Sequence, residues 1–427
     1  MYTHANILDK LLEESEQFIM ENDRSVYRGF FEEAEKFCVA NNVILGGSPG
    51  LGLLTGRKLS VQSFSWDLYT ESAYETSKRL AMALSKVHSP HVPIETVVMT
   101  TNILHKEFTL TVNARALFNI YALEKYKGVK LSDIMGPVEK VSYFAKLPIM
   151  CIPGEMQIIS AYHILYSPDK VGQWKDVVND ESELYALLVD TLRQKATAVR
   201  GGGANVHRTV ADARRVIVNK LIGSSDNVLT GDRALTMLGL NVQSEHVEFI
   251  TGTDIDELLS HVTAAVKKIL GASGQYKLTY VSHRLNIPDD FQLKKYTIYL
   301  VDGKSHTPIA DVFNSSQYEM IPYINVGKFK VGNPWVLLRF MFIKIWTLRM
   351  ILNASFKRPD IVIRKITTTI TNCDRLRKMI YNGDVLAFQS VDYTGIYINE
   401  YVAKKQFIKN IGKRFQPFYP AKVDKKE

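Results

Sequence analysis

Cysteine is scarce in this sequence, and the few cysteines form no recognisable pattern. The three are Cys38, Cys151 and Cys373, far apart along the chain. This spacing excludes a CxxC metal motif, and the odd number argues against a disulfide framework. The ten histidines form neither an HxxxH pattern nor a His/Cys cluster, so we expect no zinc site. The sequence indicates a protein of a reducing compartment.

The sequence also lacks a long uncharged apolar run. Its N-terminus, residues 1–17, is acidic where a secretory signal needs a basic start followed by an apolar segment. The most apolar stretch, residues 335–351, is interrupted by Arg339, Lys344 and Arg349, which are too many charges for a bilayer span. We interpret this stretch as a buried helix with a basic edge, and we expect neither secretion nor membrane association.

What is present is the composition of a large globular chain with a basic balance. The 427 residues are 46% hydrophobic and 23% charged, which is enough to bury a sizeable core and to form more than one domain. The net charge of +9 favours a polyanionic partner, because each phosphate neutralised by Lys or Arg releases counterions. This balance permits nucleic-acid binding without requiring it.

The order strand, glycine turn, helix appears early in the chain. Residues 43–45 form a short apolar run that stops at Gly46-Gly47-Ser48, and leucines of a predicted helix follow. The alternating segment 63–69 predicts a second strand. Alternation returns at residues 108–112, which predicts a further strand ending at Asn113.

A second copy of this order appears further along. Residues 227–230 predict a strand that leads to Gly231-Asp232, and residues 247–251 predict the strand that follows. Residues 254–269 predict a helix after it, with Asp254 as a plausible N-cap. We infer two related α/β domains, joined near the glycine-rich segment 200–203.

The predicted domain organisation has four parts. Residues 5–40 predict two helices, so we assign residues 1–40 to an N-terminal helical segment. The first α/β domain is predicted at 41–200, and the second, ending in a helical region, at 201–420. The lysine-rich residues 421–427 are interpreted as a loose basic tail.

The sequence resembles the nucleotidyltransferase superfamily in the order and spacing of two motifs. These are Gly46-Gly47-Ser48 and the following Phe64-Ser65-Trp66-Asp67-Leu68. The resemblance is sharper with the poly(A) polymerases of large cytoplasmic DNA viruses, because segments 309–314, 318–323 and 393–397 also look like that family. It covers roughly residues 35–420 and implies an α+β chain with two nucleotidyltransferase-like α/β domains, the second of them degenerate.

In that family the Gly-Gly-Ser turn lets the backbone approach a triphosphate, whose oxygens the serine hydroxyl and the helix N-terminus hold. The next strand carries two carboxylates two residues apart, so that both point to one face, and a neighbouring strand supplies a third. These acids bind the metal ions that join the nucleotide to the attacking 3′-oxygen. The resemblance therefore implies ATP with Mg²⁺ or Mn²⁺ as cofactors of an active member, and none for an inactive one.

Carried over by position, the resemblance implies that Gly46-Gly47-Ser48 binds the nucleotide and that Asp67 is the catalytic, metal-binding acid. The other two acids fall at Ser65 and Asn113, which are degenerate metal positions. With a carboxylate at one of the three positions, the site lacks the negative charge that binds two metal ions. We therefore expect phosphoryl transfer to be severely weakened.

Two features qualify this interpretation. Glu71 or Glu107 would supply an acid if the register were displaced. The second copy has Gly231-Asp232 in place of the Gly-Gly-Ser turn, and its strand carries Glu248 alone, so we expect it to be further degraded and to serve structure and binding.

Basic residues lie among Phe, Trp and Tyr in the C-terminal helical region, a composition that holds single-stranded RNA through phosphate contacts and base stacking. The predicted RNA-binding residues are Arg339, Lys344, Arg349, Arg375, Arg377 and Lys378. The alternative is that they form the solvated face of helices whose aromatic residues belong to the core.

The sequence leaves three functions open. The first is a poly(A) polymerase-like viral protein in mRNA 3′-end formation that binds RNA and is poorly active or inactive. The second is an active polynucleotide adenylyltransferase, and the third is a structural or scaffolding protein that kept the fold. The resemblance also implies single-stranded RNA as a partner, a homodimer or a heterodimer with a related subunit, and location in the host cytoplasm at viral factories or in the virion.

Overall fold

The computed structural model describes residues 26–56, 65–87, 97–102, 107–113, 115–123, 136–167, 174–196, 208–223, 227–242, 246–270, 276–285, 287, 293–303, 305–315, 321–353 and 359–383. The chain divides into two compact units, residues 1–157 with 403–427 and residues 158–402. The predicted junction at 200–203 and the predicted tail lie outside the described residues, so the predicted domain bounds stay predictions. None of the helices described is both long and apolar enough to span a bilayer.

The first unit contains a seven-stranded mixed sheet in the order β3-β4-β5-β2-β1-β7-β6. Helix α1 covers residues 26–41. The other elements are β1 (Ile44–Gly46), α2 (Gly47–Thr55), β2 (Trp66–Thr70), α3 (Ala73–Leu84), β3 (Val97–Asn102), β4 (Glu107–Val112), β5 (Arg115–Ala122), β6 (Val138–Val141), β7 (Pro148–Cys151) and α4 (Gly154–Tyr166), in which the division between the units falls. Strand β2 runs antiparallel to β1 and parallel to β5.

Helix α1 is part of the core of the first unit. Its buried side chains recur at helical spacing, and Phe30 and Phe31 are among them. The ring of Phe31 stacks on Trp66 of β2 with centroids 4.9 Å apart, so the helix is anchored on the sheet face opposite Asp67. Of the two helices predicted between residues 5 and 40, the first lies outside the described residues.

The second unit contains another seven-stranded sheet, in the order β10-β11-β12-β9-β8-β14-β13. Its helices are α5 (Trp174–Ala196), α6 (Arg208–Val216), a π-helical turn (Ile217–Ile222), α7 (Gly231–Met237), α8 (Ile255–Leu270), α9 (Pro334–Asn353) and α10 (Pro359–Tyr381). Its strands are β8 (Val228–Thr230), β9 (Val247–Thr251), β10 (Tyr276–Arg284), β11 (Lys294–Asp302), β12 (Ser305–Asn314), β13 (Tyr323–Val326) and β14 (Phe329–Gly332).

The two sheets have the same topology, strand for strand. Replacing β1 to β7 by β8 to β14 converts one strand order into the other. The pairings also agree, because β8 with β9 is antiparallel and β9 with β12 is parallel. The prediction of an α+β chain with two related α/β parts is confirmed, and positions in one sheet can be matched to positions in the other by register.

Candidate functional site

The glycine turn of the first unit lies directly against Asp67. Strand β1 ends at Gly46, which pairs with Asp67 in the antiparallel register, and α2 begins at Gly47. Gly47 has φ +62°, and a Cβ added there would lie 2.5 Å from Asp67 Oδ2. Both the left-handed backbone and the close approach therefore require glycine. Ser48, the next residue, is exposed at the start of the helix.

Buried polar side chains hold this turn in place. Gln157, in the amide orientation that satisfies both groups, donates to the carbonyl of Gly47 (2.9 Å) and accepts from the amide of Leu51 (3.1 Å). The Tyr143 hydroxyl donates to the carbonyl of Pro49 at 3.1 Å. The carboxylate of Glu35, fully buried on α1, accepts the Tyr143 amide at 2.8 Å and so fixes the loop that carries this tyrosine.

Three polar side chains meet beside the turn: Ser65, Asp67 and Asn119. The Asn119 amide nitrogen donates to Ser65 Oγ at 2.8 Å and to Asp67 Oδ1 at 3.2 Å. Its orientation is fixed from behind, since Asn119 Oδ1 accepts the Thr109 hydroxyl at 3.2 Å. The Tyr121 hydroxyl reaches Asp67 Oδ1 at 3.5 Å. The single carboxylate is thus surrounded by hydrogen-bond donors.

The prediction that Asn113 occupies the third acid position is wrong. Asn113 lies in the turn between β4 and β5 with φ +50°. Asn119 is the residue paired with Asp67 in the parallel register of β2 and β5. The strand from Arg115 to Asn119 extends roughly 13 Å at about 3.3 Å per residue, which separates the turn from the site. The alternation Phe118-Asn119-Ile120-Tyr121 is the sequence signal that marks the correct strand.

The two acids considered as replacements have different positions. Glu71 follows the last residue of β2 and is four residues from Asp67, roughly 13 Å along an extended chain, so it does not replace a missing carboxylate. Glu107 begins β4, where its backbone pairs with Tyr121.

The side chains present do not fit a two-metal centre. Such a centre needs several carboxylates around two divalent ions. Here Asp67 is the one acid of the trio, and Asn119 presents its amide nitrogen, a donor, to the carboxylate oxygen. Within the described residues no group of three His, Cys, Asp or Glu side chains has an arrangement suited to a metal ion.

The second unit repeats the turn with different chemistry. Gly231 has φ +67° at the start of α7, and a Cβ there would lie 2.6 Å from Cδ of Glu248. Glu248 pairs with Thr230 on β8 and with Asp311 on β12, as Asp67 pairs with Gly46 and Asn119. Glu248 is the one acid of its strand, as the sequence indicated, but β12 brings a second buried acid, Asp311, beside it.

The Asp311 carboxylate is surrounded by a lysine, a histidine and a hydroxyl. Lys295 Nζ lies 2.9 Å and His246 Nε2 3.1 Å from its Oδ2, and the Thr297 hydroxyl donates to Oδ1 at 2.6 Å. Burial alone would raise the pKa of Asp311, but Lys295, His246 and Thr297 outweigh it and hold that pKa well below its usual range. Asp311 is thus an anion whose charge is already compensated.

Glu248 is compensated in the same way by Lys344 of α9. Lys344 Nζ lies 2.5 Å from Glu248 Oε1, and the glutamate side chain is 2% exposed. Burial alone would lower the pKa of Lys344, but Glu248 and Asp232 outweigh it and raise that pKa above its ordinary value. Asp232 also accepts the Asn372 amide at 3.0 Å, and its burial raises its pKa. Lysine ammonium groups face these carboxylates.

Helix α9 confirms the predicted buried helix but not its basic edge. Arg339 is 1% exposed, and its Nη1 donates to the Tyr166 hydroxyl at 2.5 Å. Lys344 is ion-paired with Glu248. Both were predicted to bind RNA, and that prediction is corrected, since a buried or ion-paired side chain presents no charge to a phosphate.

Three further residues predicted to bind RNA, Arg375, Arg377 and Lys378, lie on helix α10, and Arg349 lies on α9. Arg377 donates from Nε and Nη2 to the two oxygens of the fully buried Glu181, both at 2.8 Å, and packs 3.7 Å from the Tyr185 ring centroid. It is therefore structural. Arg375 and Lys378 are exposed, and burial lowers the pKa of the half-buried Arg349. RNA binding by these three stays a prediction.

Comparison with known proteins agrees with this architecture. No protein-family model matches the chain. In solved structures, the Megavirus polyadenylate synthase aligns over 98% of this chain and 86% of its own length, with a TM-score of 0.64 and 12% identity. The chain has the fold of that viral polyadenylate synthase. Predicted from two short motifs, the nucleotidyltransferase-like fold is confirmed.

Sequence relatives are found in another large DNA virus. An uncharacterized protein of African swine fever virus is 24% identical over 439 residues in an isolate from Namibia, covering 100% of both chains. In an isolate from South Africa the same viral protein is 23% identical over 437 residues and covers 99% of both chains. These alignments span 99% or more of this chain, so they include both units.

Proposed function

We propose that this chain is a poly(A) polymerase-like protein that binds single-stranded RNA, acts in mRNA 3′-end formation and has little or no nucleotidyl transfer activity of its own. The observation that carries the proposal is the hydrogen bond from the Asn119 amide to Asp67, at 3.2 Å. The likeness to the Megavirus polyadenylate synthase supports the polymerase-like part.

The physical reason for low activity is the charge at the site. Two divalent ions bring four positive charges, and the described trio offers Asp67 as its one anion. A cation that binds Asp67 Oδ1 would also have to displace the donor hydrogens of Asn119 and Tyr121, which both reach that oxygen. The glycine turn keeps its close approach, so nucleotide phosphates could still be accepted where the metal-dependent step fails.

The proposed context follows from the fold and the charge. The net charge of +9 supports RNA as the partner. A subunit with a weakened site is useful beside a competent one, so we include a heterodimer with a related active subunit, or a homodimer, in the proposal. The proposed location is the host cytoplasm at viral factories or the virion.

The activity test is RNA primer extension with labelled ATP and Mg²⁺ or Mn²⁺. We expect little extension by the natural chain and no further loss in Asp67→Ala. A double variant, Ser65→Asp with Asn119→Asp, restores three carboxylates and should gain extension with Mn²⁺. The matched control is Ser65→Asp with Asn113→Asp, which makes the same chemical changes but places one acid in the hairpin turn.

Two outcomes would contradict the proposal. Robust extension by the natural chain that Asp67→Ala abolishes would identify an active adenylyltransferase. Absence of binding to oligo(A) and oligo(U) at near-physiological salt would remove the RNA-binding part and favour a scaffolding role. Equal extension by the two double variants would show that Asn119 is not the third acid position.

A further inference from the structure

A cleft of about 340 Å³ in the second unit is lined by guanidinium groups. Arg214, Arg215 and Arg233 contribute to its wall together with Asn219, and Val218 and Val247 form an apolar part of the lining. This volume is at the small end of ligand-sized cavities. The cleft involves none of the residues for which the sequence predicted RNA binding.

Three helical elements supply the polar wall of the cleft, and β9 adds Val247. Helix α6 supplies Arg214 and Arg215, and the π-helical turn after it supplies Val218 and Asn219. Arg233 comes from α7, just after the glycine turn of this unit. A π-helical turn is a rare geometry that often occurs at functional sites, because it displaces side chains from the regular helical positions.

One arginine is held in position by the fold. Arg214 Nη2 donates to the carbonyl of Pro308 at 3.1 Å, which orients its guanidinium at the cleft wall. Arg215 and Arg233 are exposed and can move to meet a ligand. Arg214 is thus suited to shape the cleft, and the other two to contact what enters it.

The local charge is strongly positive. Asp212 lies 3.1 Å from Arg215, but both side chains are partly or largely exposed, at 34% and 69%, so water screens this pair and leaves the guanidinium available. Lys328 Nζ lies within 3.5 Å of the Asn219 carbonyl and adds a further cation beside the cleft. By contrast, Lys295 and Lys344 face buried carboxylates.

We propose that this cleft binds the phosphate groups of single-stranded RNA. The inference deepens the proposed function and rests on its RNA-binding part. Guanidinium forks match phosphate oxygens in geometry and charge, and the apolar lining from Val218 and Val247 can contact the sugar or base. The second unit then has a binding role carried by its arginines and not by its lysine-compensated acids.

The test is fluorescence anisotropy with labelled oligo(U) and oligo(A) at several salt concentrations. We expect Arg215→Gln with Arg233→Gln to weaken binding by about tenfold or more. Loss of two phosphate contacts should also reduce the slope of log affinity against log salt by about 1.4, at about 0.7 per phosphate for a single strand. The charge-matched control is Lys267→Gln with Lys268→Gln, two exposed lysines of α8 that do not line the cleft.

The outcomes separate the two proposals. If the natural chain binds neither oligonucleotide, the proposed function fails and the cleft assignment fails with it. If the natural chain binds RNA and the arginine variant behaves like the lysine control, the cleft assignment alone is overturned. Displacement of RNA by ATP at equal phosphate concentration, with ATP binding lost in the arginine variant, would identify a free nucleotide as the ligand and also overturn it. Single Arg233→Gln, checked by circular dichroism, replaces the double variant if that variant does not fold.

Discussion

Removing the ammonium group of Lys344 should destabilise the second unit strongly. In Lys344→Met, Glu248 loses a partner at 2.5 Å, and its side chain is 2% exposed, so water cannot easily take the place of the lysine. Asp232 loses the same cation. Breaking a buried pair by removing one partner costs about 3–5 kcal/mol. For a unit of this size, each kcal/mol lowers Tm by about 2–4 °C, so the expected loss is roughly 6–20 °C.

The measurement is scanning calorimetry of a double-mutant cycle. Lys344→Met with Glu248→Gln removes both charges and should be less destabilised than the sum of its single variants, with a coupling of about 1–3 kcal/mol. Lys267→Met, at an exposed position of α8, is the matched control and should stay within about 0.5 kcal/mol of the natural chain. The reasoning is refuted if Lys344→Met is no worse than this control, or if the two single effects add without coupling.

Three further predictions concern other parts of the fold. Gly47→Ala should lower the free energy of unfolding, measured by urea denaturation, by at least about 1 kcal/mol more than Gly56→Ala does. Both glycines have positive φ, +62° and +75°, but a Cβ at Gly47 would lie 2.5 Å from a carboxylate oxygen, while a Cβ at Gly56 would meet nothing within 4 Å. Equal losses would contradict the close approach. The pKa of Asp311 is lower folded than unfolded, so its stabilisation is present above an unfolded pKa of about 3.9 and is lost as pH falls through the folded value. The stability advantage over Asp311→Asn should therefore stay constant from pH 7 to about pH 4 and shrink below that pH, and a difference that stays constant down to pH 3 would count against the ion pairs. Burial raises the pKa of the Cys151 thiol to about 12 and those of the other two cysteines above their ordinary value, so a chromogenic disulfide reagent at pH 8 should find no fast-reacting thiol before unfolding and all three afterwards.

Local patterns in the sequence were enough to predict the turn and the strand beside it. A short apolar run before Gly46-Gly47 and an alternating segment around Asp67 each depend on neighbours close in sequence. The same reasoning located β9 at residues 247–251, which are the bounds of that strand in the structure. The repeat could therefore be predicted from the sequence wherever a strand and its glycine turn lie close together in the chain.

The third site position could not be obtained in this way, because it depends on a hairpin. Strand β4 leads away from the site to the turn at Asn113, and β5 returns to place Asn119 beside Asp67. An assignment made from the end of β4 therefore selects the turn residue Asn113 and not Asn119. The pairing that decides the position joins residues distant in sequence, and it carries no local signature beyond the alternation of β5.

Among the sequence signals, a charged residue type was the least reliable indication that a side chain lies on the surface. Arg339 lies between Leu338 and Phe340, which are both buried, and the arginine itself is 1% exposed. Its guanidinium packs 5.6 Å from the Tyr166 ring centroid, a partner far away in sequence. The same holds for acids: no local pattern links Asp311 to Glu248, and only the sheet register shows that the two lie side by side.

The two sheets differ in how easily a metal-compatible site could be built into them. In the first unit, Ser65 and Asn119 are neutral, partly accessible side chains, so acids could be introduced there without breaking a buried ion pair. In the second unit, the two acids are already ion-paired with Lys295 and Lys344. Acids that create a metal site would therefore be tolerated more easily in the first unit, because removing either lysine from the second leaves a buried carboxylate without its cation.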